Sequence, residues 1–466
     1  MTEARLNKSE DMVMDMTIGK PYQVIIKFAI PLFIGELFQQ LYNAADTFIV
    51  GKFLGTEALA AVGSSGNLIF LFNSFFIGLG TGAGILIARF FGAGDEKNVS
   101  KAIHTTVTFG LILGLLMSVL GVVFSPGILK LMQTDPAVMP LAISYFRFYF
   151  SGSITVVMYN FLKGIMNAVG DSKRPLYYLI ASSVLNIGLD CLFVGVFRWG
   201  VWSAALATVI SQLISCVLCA QHLLRKGHVY TVEIKKLGLN IEALKLIIKY
   251  GVPTGVQNSA IALANVLVQT QINGYGMYAM AAYGACSKIE GFAFIPVMSF
   301  TMAISTFVGQ NLGAKKYDRA KKGSRFGILA AVIIAEIIGI LYFIFAPQII
   351  GLFDSTPEVL YYGLCQARVM TLFYAILAFA HAIAAVCRGA GKAFVPMLIM
   401  LSIWCVFRIA YILTITHFFH DIKLVYWAYP ITWGISSIIY LIYYLKSDWV
   451  HGFEQTKKDK KSHYHT

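Results

Sequence analysis

The chain has 466 residues, of which 58% are hydrophobic and only 13% charged. A soluble globular protein carries about 25% charged residues, so that class is excluded, and repeated apolar runs of about 20 residues point to a polytopic helical membrane protein. The net charge of +14 would suit a nucleic-acid binder, but the placement of the basic residues assigns that surplus to membrane orientation.

Residues 1–21 are polar and mixed in charge, without the apolar core of a signal peptide. They are expected to be a cytoplasmic segment ahead of a retained first membrane helix. Twelve apolar segments follow, at 22–50, 58–90, 102–124, 137–163, 175–197, 200–224, 244–272, 279–311, 324–346, 357–387, 394–417 and 424–445. The expected fold is an all-α integral membrane protein of twelve transmembrane helices. It divides into a six-helix lobe (22–225), a basic linker (226–243), a second six-helix lobe (244–446) and a cytoplasmic tail (447–466). The run Lys457-Lys-Asp-Lys-Lys461 reads as a solvated end.

The first helix is apolar yet carries Glu36, Gln40, Asn43 and Asp46. Their three- and four-residue spacing puts them on one face. A carboxylate in hydrocarbon costs about 2.5–3.5 kcal/mol on insertion scales, so this face must meet protein or a water-filled cavity. Pro31 interrupts the backbone hydrogen bonding of the same helix and permits a kink. In the second helix, Gly78-Leu-Gly-Thr-Gly-Ala-Gly84 lacks the preceding strand of a dinucleotide loop and reads as close helix packing. The fifth helix places Asn186 and Asp190 one turn apart, and the sixth carries Thr208, Ser211, Gln212 and Ser215 on roughly one face. Asp190 lies about 22 Å from Pro175, taken as the inner surface, and Thr208 is about 12 Å from the outer end of its helix. Asp46 is also near the outer end, so the three are expected to meet in the outer half of the first lobe.

Connections alternate in charge. The outward ones hold only Lys52, Lys130, Arg198 and Lys423, whereas the linker at 225–249 alone holds Arg225, Lys226, Lys235, Lys236, Lys245 and Lys249. That bias places both termini in the cytoplasm, in a cell membrane. The seven cysteines lie mostly inside apolar runs and form no disulfide framework.

The chain also repeats itself. At an offset of 221, Gly92 meets Gly313, Pro126 meets Pro347 and Pro175 meets Pro396; Pro31 meets Pro253 one residue later. Six helices per copy give parallel topology, a known transporter plan. Under this alignment Asn186, Asp190 and Thr208 fall on Phe407, Tyr411 and Tyr429, and Asp46 on about Val268. The carboxylates belong to one copy only, which favours function over scaffold. Two acids close together in low dielectric share a proton or take up a cation. Asp46, Asn186, Asp190 and Thr208 are therefore read as a site for H⁺ or Na⁺, whose occupancy changes the bend near Pro31. Glu290 is read as half of an internal ion pair, with a substrate-facing carboxylate as the alternative. His381 is read as a packed histidine.

The chain resembles the multidrug and toxic compound extrusion (MATE) family. The resemblance rests on Tyr42-Asn-Ala-Ala-Asp46-Thr-Phe-Ile-Val-Gly51, the turn Phe90-Phe-Gly-Ala-Gly-Asp95, the helix ends Gly164–Pro175 and Cys387–Pro396, and Asn186-x-x-x-Asp190. It implies V-shaped six-helix lobes, rocker-switch alternating access, and H⁺- or Na⁺-coupled export of amphipathic, often cationic compounds. The chain is expected to be a monomer, to need no cofactor and not to be an enzyme. The seventh helix, Gly255–Gln269, lacks the acid that some branches carry there, which favours a site in the first lobe. The runner-up is a lipid-linked glycan flippase, against which the twelve helices and the Asp46, Asn186 and Asp190 set count. A membrane enzyme would need a nucleophile–base pair or metal ligands, and neither is found in the sequence.

Overall fold

The computed structural model describes residues 13–132, 134–451 and 453, and among them every regular element is helical. The expected tail at 457–461 and residues 1–12 lie outside the described residues. Seven helices make up the first copy. They are α1 (Pro21–Gly55), α2 (Glu57–Gly92), α3 (Glu96–Leu131), the bent pair α4 (Met139–Ser151) and α5 (Ser153–Ala168), α6 (Lys173–Asp190) and α7 (Val201–Leu223). The second copy comprises α8 (Ile241–Asn273), the bent pair α9 (Met277–Ala293) and α10 (Ile295–Gly313), α11 (Tyr317–Gly351), α12 (Pro357–Met370), α13 (Tyr374–Gly389), α14 (Phe394–Met400), α15 (Arg408–Phe418) and α16 (Ile422–Lys446). Among the described residues, nine helices or merged helices are long and apolar enough to cross a membrane, and eleven spans result when each bent pair is one. The helix α8, 33 residues long, falls short of that apolarity because of Thr254, Gln257, Asn258 and Ser259. Eleven of the twelve segments read from the sequence coincide with these spans, and the twelfth, 244–272, coincides with α8.

The interruptions have identifiable causes. Gly55, at φ 84°, breaks the path between α1 and α2 in a conformation open to glycine. The 46° bend between α4 and α5 falls at Gly152, where a β-carbon would lie 2.2 Å from Val209 Cγ1 of α7. The 40° bend between α9 and α10 falls at Pro296, whose ring removes a helical donor. Two helices pass through π turns: α6 continues into Cys191–Val196, and α14 runs through Leu401–Phe407 into α15. Such turns concentrate at functional sites.

The glycine-rich stretch of α2 packs as expected, against two partners. A β-carbon at Gly78 would lie 2.3 Å from Gly255 Cα, and one at Gly82 2.2 Å from Gly251 Cα, both on α8. Gly80 and Gly84 face the backbone of α5 at Asn160 and Gly164. Small residues on alternating faces thus let one helix touch two others at backbone distance.

Contacts divide the chain into two compact units, Met1–Asp15 with Ile34–Gly255 and Met16–Phe33 with Val256–Thr466. The division differs from the lobes read by chain order: it falls inside α1 just past Pro31 and inside α8 just past Pro253, not in the 226–243 linker. In the second unit, residues 16–19 are gripped by the α10–α11 turn. Gln310 Oε1 accepts from Met16 N at 3.0 Å, Asn311 Nδ2 donates to Met16 O at 3.1 Å, and Lys316 Nζ donates to Thr17 O at 2.9 Å. The Arg319 guanidinium donates to the carbonyls of Met16, Ile18 and Gly19. These side chains satisfy one backbone donor and several acceptors just before a helix begins.

Candidate cation site

The first unit contains all four residues read as a cation site. Asp190 ends α6 and is fully buried, and Asn186, one turn earlier on the same face, is 1% exposed. Asp46 comes from the C-terminal half of α1, and its carboxyl stands beside that of Asp190. No hydrogen bond among the described residues reaches Asp46 Oδ1, either carboxyl oxygen of Asp190, or either polar atom of the Asn186 side chain. Nearly all buried polar side-chain atoms have a partner, so this cluster of orphaned atoms is unusual. Its oxygens are hard ligands suited to a proton or a small hard cation.

Thr208, on α7, is half-buried, and its hydroxyl donates to Ala204 O at 3.1 Å. Its proton is committed to its own helix, which leaves the oxygen as an acceptor only. Ser211 and Ser215 likewise donate to backbone carbonyls.

The structure adds aromatic hydroxyls that the sequence reading missed. Tyr145, 5% exposed, lies within electrostatic reach of both Asp46 and Asp190. Tyr149, one turn along α4, takes a 2.9 Å hydrogen bond from Asn73 Nδ2 of α2. Tyr42 of α1 stands beside Gln212 of α7. The i, i+4 spacing of Tyr145 and Tyr149 was visible in the sequence, but in a chain with 24 tyrosines it carries no signal of its own.

The other α1 residues take separate roles. Glu36 accepts from Lys163 Nζ of α5. Gln40 is half-buried and Asn43 exposed, and neither side chain forms a hydrogen bond among the described residues. Pro31 is buried and belongs to the second unit.

The expected ion pair of Glu290 is not formed among the described residues. Gln366 Nε2 of α12 donates to its Oε1 at 3.1 Å, while Lys288 and Arg368 are exposed and Arg408 bonds elsewhere. The physical reason is direction: Lys288 precedes Glu290 by only two residues, and such positions do not face each other on a helix. Glu336 accepts from Ala375 N at 3.1 Å and so caps the start of α13. His381 packs edge-on to Trp404, with ring centroids 5.3 Å apart.

The MatE family model matches the chain twice, over residues 31–192 and 253–414. The chain belongs to the MatE family. Each matched stretch starts at the proline of its first helix, so the internal repeat and the family domain are the same unit. The MatE chain is 31% identical over 455 residues to a probable multidrug resistance protein, YoeA, of Bacillus subtilis, covering 94% of this chain and 97% of that one. It is 24% identical over 385 residues to the probable multidrug resistance protein NorM of Thermotoga maritima, covering 82% of each. A solved MOP superfamily transporter from Pyrococcus furiosus, for which reverse polarity of the binding pocket suggests a different function, has the same fold at TM-score 0.87 and 24% identity, covering 92% of this chain and 96% of that one. This MatE protein is a multi-pass membrane transporter of a multidrug efflux family and not an enzyme.

Proposed function

We propose that this MatE protein exports amphipathic, often cationic compounds in exchange for H⁺ or Na⁺ bound at Asp46 and Asp190, with Asn186 and Thr208 supporting. One observation carries the reading: two carboxyls from different helices stand together in one unit, with their buried oxygens unmet by any donor. Two adjacent carboxylates cannot both remain charged in low dielectric without a proton or a cation between them. Loading the site joins α1 to α6 by electrostatic attraction, and unloading it leaves repulsion. Pro31 weakens the backbone ladder of α1, so the helix can answer that change by bending. A coupling ion drives alternating access only if it binds the two conformations unequally, and a helix that bends on loading supplies that difference. Both termini lie in the cytoplasm on this reading, since the basic loops mark the inner face.

The test is dye efflux from proteoliposomes under an imposed pH gradient and, separately, an imposed Na⁺ gradient. The wild type responds to one of the two. Asp190→Asn abolishes that response. Gradient-driven efflux of undiminished rate in Asp190→Asn would remove the site from the mechanism.

A further inference from the structure

The interior of the second unit holds a buried guanidinium that forms no ion pair among the described residues. Arg408 follows the π turn at Leu401–Phe407, opens α15 and is 1% exposed. Its Nε and Nη2 both donate to one atom, Thr432 Oγ1 of α16, at 3.1 and 2.8 Å. That hydroxyl passes its own proton to Ala428 O. Nη1 makes no hydrogen bond among the described residues. The guanidinium lies 4.4 Å from the ring centre of Tyr429 and 5.3 Å from that of Trp404.

No acid faces it. The titratable groups that act on its charge are Tyr429, Cys405 and Tyr283, all neutral near pH 7. Tyr283 and Tyr429 meet hydroxyl to hydroxyl at 3.1 Å. The carboxyl of Glu290, in the same unit, is taken by Gln366. By contrast, the buried Arg174 of the first unit is paired with Asp171. A guanidinium stays protonated in proteins, and a buried charge is held comfortably only beside an opposite one. The repeat adds an independent observation. At the 221-residue offset Arg408 falls on Ile187 and Tyr429 on Thr208. The scaffold therefore does not need a cation at this place. The pair of helices that bears Asp190 and Thr208 in one copy bears the arginine and its aromatic cover in the other.

We propose that Arg408 is an anion-binding subsite, taking the carboxylate of an amphipathic aromatic compound. The planar fork of the guanidinium matches a carboxylate at two points, and Trp404, Tyr429 and Tyr283 offer ring faces to an aromatic body. Tyr429 covers the guanidinium in this structure, so binding requires that ring to turn aside. The proposal stands apart from the cation site, because it concerns the other unit and a charge of opposite sign.

The experiment is equilibrium dialysis of radiolabelled 1-naphthoate and of neutral 1-naphthamide against the full-length protein in phosphatidylcholine nanodiscs. Wild type binds the carboxylate at least about tenfold more tightly than the amide, and Arg408→Gln erases the difference. Equal affinity for the two probes in wild type overturns the proposal, whatever the variants do. Retained preference in a folded Arg408→Gln also overturns it. Should that variant not fold, protection of Arg408 from phenylglyoxal by 1-naphthoate, read by mass spectrometry on wild type, decides: protection supports the subsite and its absence overturns it. The dialysis is repeated in nanodiscs containing phosphatidylglycerol. Displacement of 1-naphthoate there would give the site to a lipid phosphate and overturn the carboxylate assignment.

Discussion

Lys163 Nζ donates to Glu36 Oε1 at 3.0 Å, tying α5 to α1 inside the first unit. The side chains are 15% and 36% exposed, and where that surface meets a water-filled cavity the pair is worth about 1 kcal/mol or less. A double-mutant cycle of Glu36→Gln with Lys163→Met, read as thermal stability in detergent, is expected to return a coupling of that size. A coupling of zero would leave the two side chains adjacent without contributing to stability.

Gly82 predicts a sharper loss. A methyl group there would sit 2.2 Å from Gly251 Cα, and backbone cannot move aside as a side chain can. Gly82→Ala is expected to cost about 1–3 kcal/mol by overpacking. Gly63→Ala is the control, since a β-carbon there meets nothing within 4 Å. Thermal unfolding should separate the two variants clearly; equal midpoints would contradict the close approach of α2 and α8.

Asp190→Asn and Asp46→Asn should split stability from transport. Each replaces an acceptor-only group by one that also donates, so each relieves a buried unmet oxygen. The expected result is an unfolding midpoint no lower than wild type, together with a fall in gradient-driven efflux of at least about tenfold, or roughly 1.4 kcal/mol. A strong loss of stability in both would instead mark the two acids as structural partners.

Arg319→Ala should loosen residues 16–19 without unfolding the protein. The guanidinium meets three consecutive-turn carbonyls there, and each hydrogen bond to a charged donor contributes about 1.5–3 kcal/mol when fully buried. These contacts are partly exposed, so the expected signature is local: faster amide hydrogen exchange at Met16, whose N–H is held by Gln310 Oε1 beside them, with α10 and α11 unchanged.

Much of this was legible in the sequence, for reasons that differ by residue. The twelve spans were legible because a membrane demands long apolar helices, and the repeat because Pro31 and Pro253 recur at nearly the same offset as Pro175 and Pro396. Asp46 and Asp190 stood out because ionised groups are rare in such helices. The tyrosines around them did not, since a tyrosine in an apolar run is ordinary and only its neighbours reveal its hydroxyl. Glu290 was misread because its partner, Gln366, lies 76 residues away and carries no charge to advertise it. The π turns left no trace, as their sequences are unremarkable apolar helix. The division of the units past Pro31 and Pro253 was hidden too, because chain order says nothing of which neighbours each half of a long helix chooses.

That division has a consequence for the gene. A chain cut within the 226–243 linker would yield two polypeptides, each lacking a helix half that its compact unit borrows from the other. Residues 16–33 would be stranded from Val256–Thr466, and residues 241–255 from Ile34–Gly255. Neither polypeptide made alone should accumulate as a stable species, while the two synthesised together should assemble into a working whole.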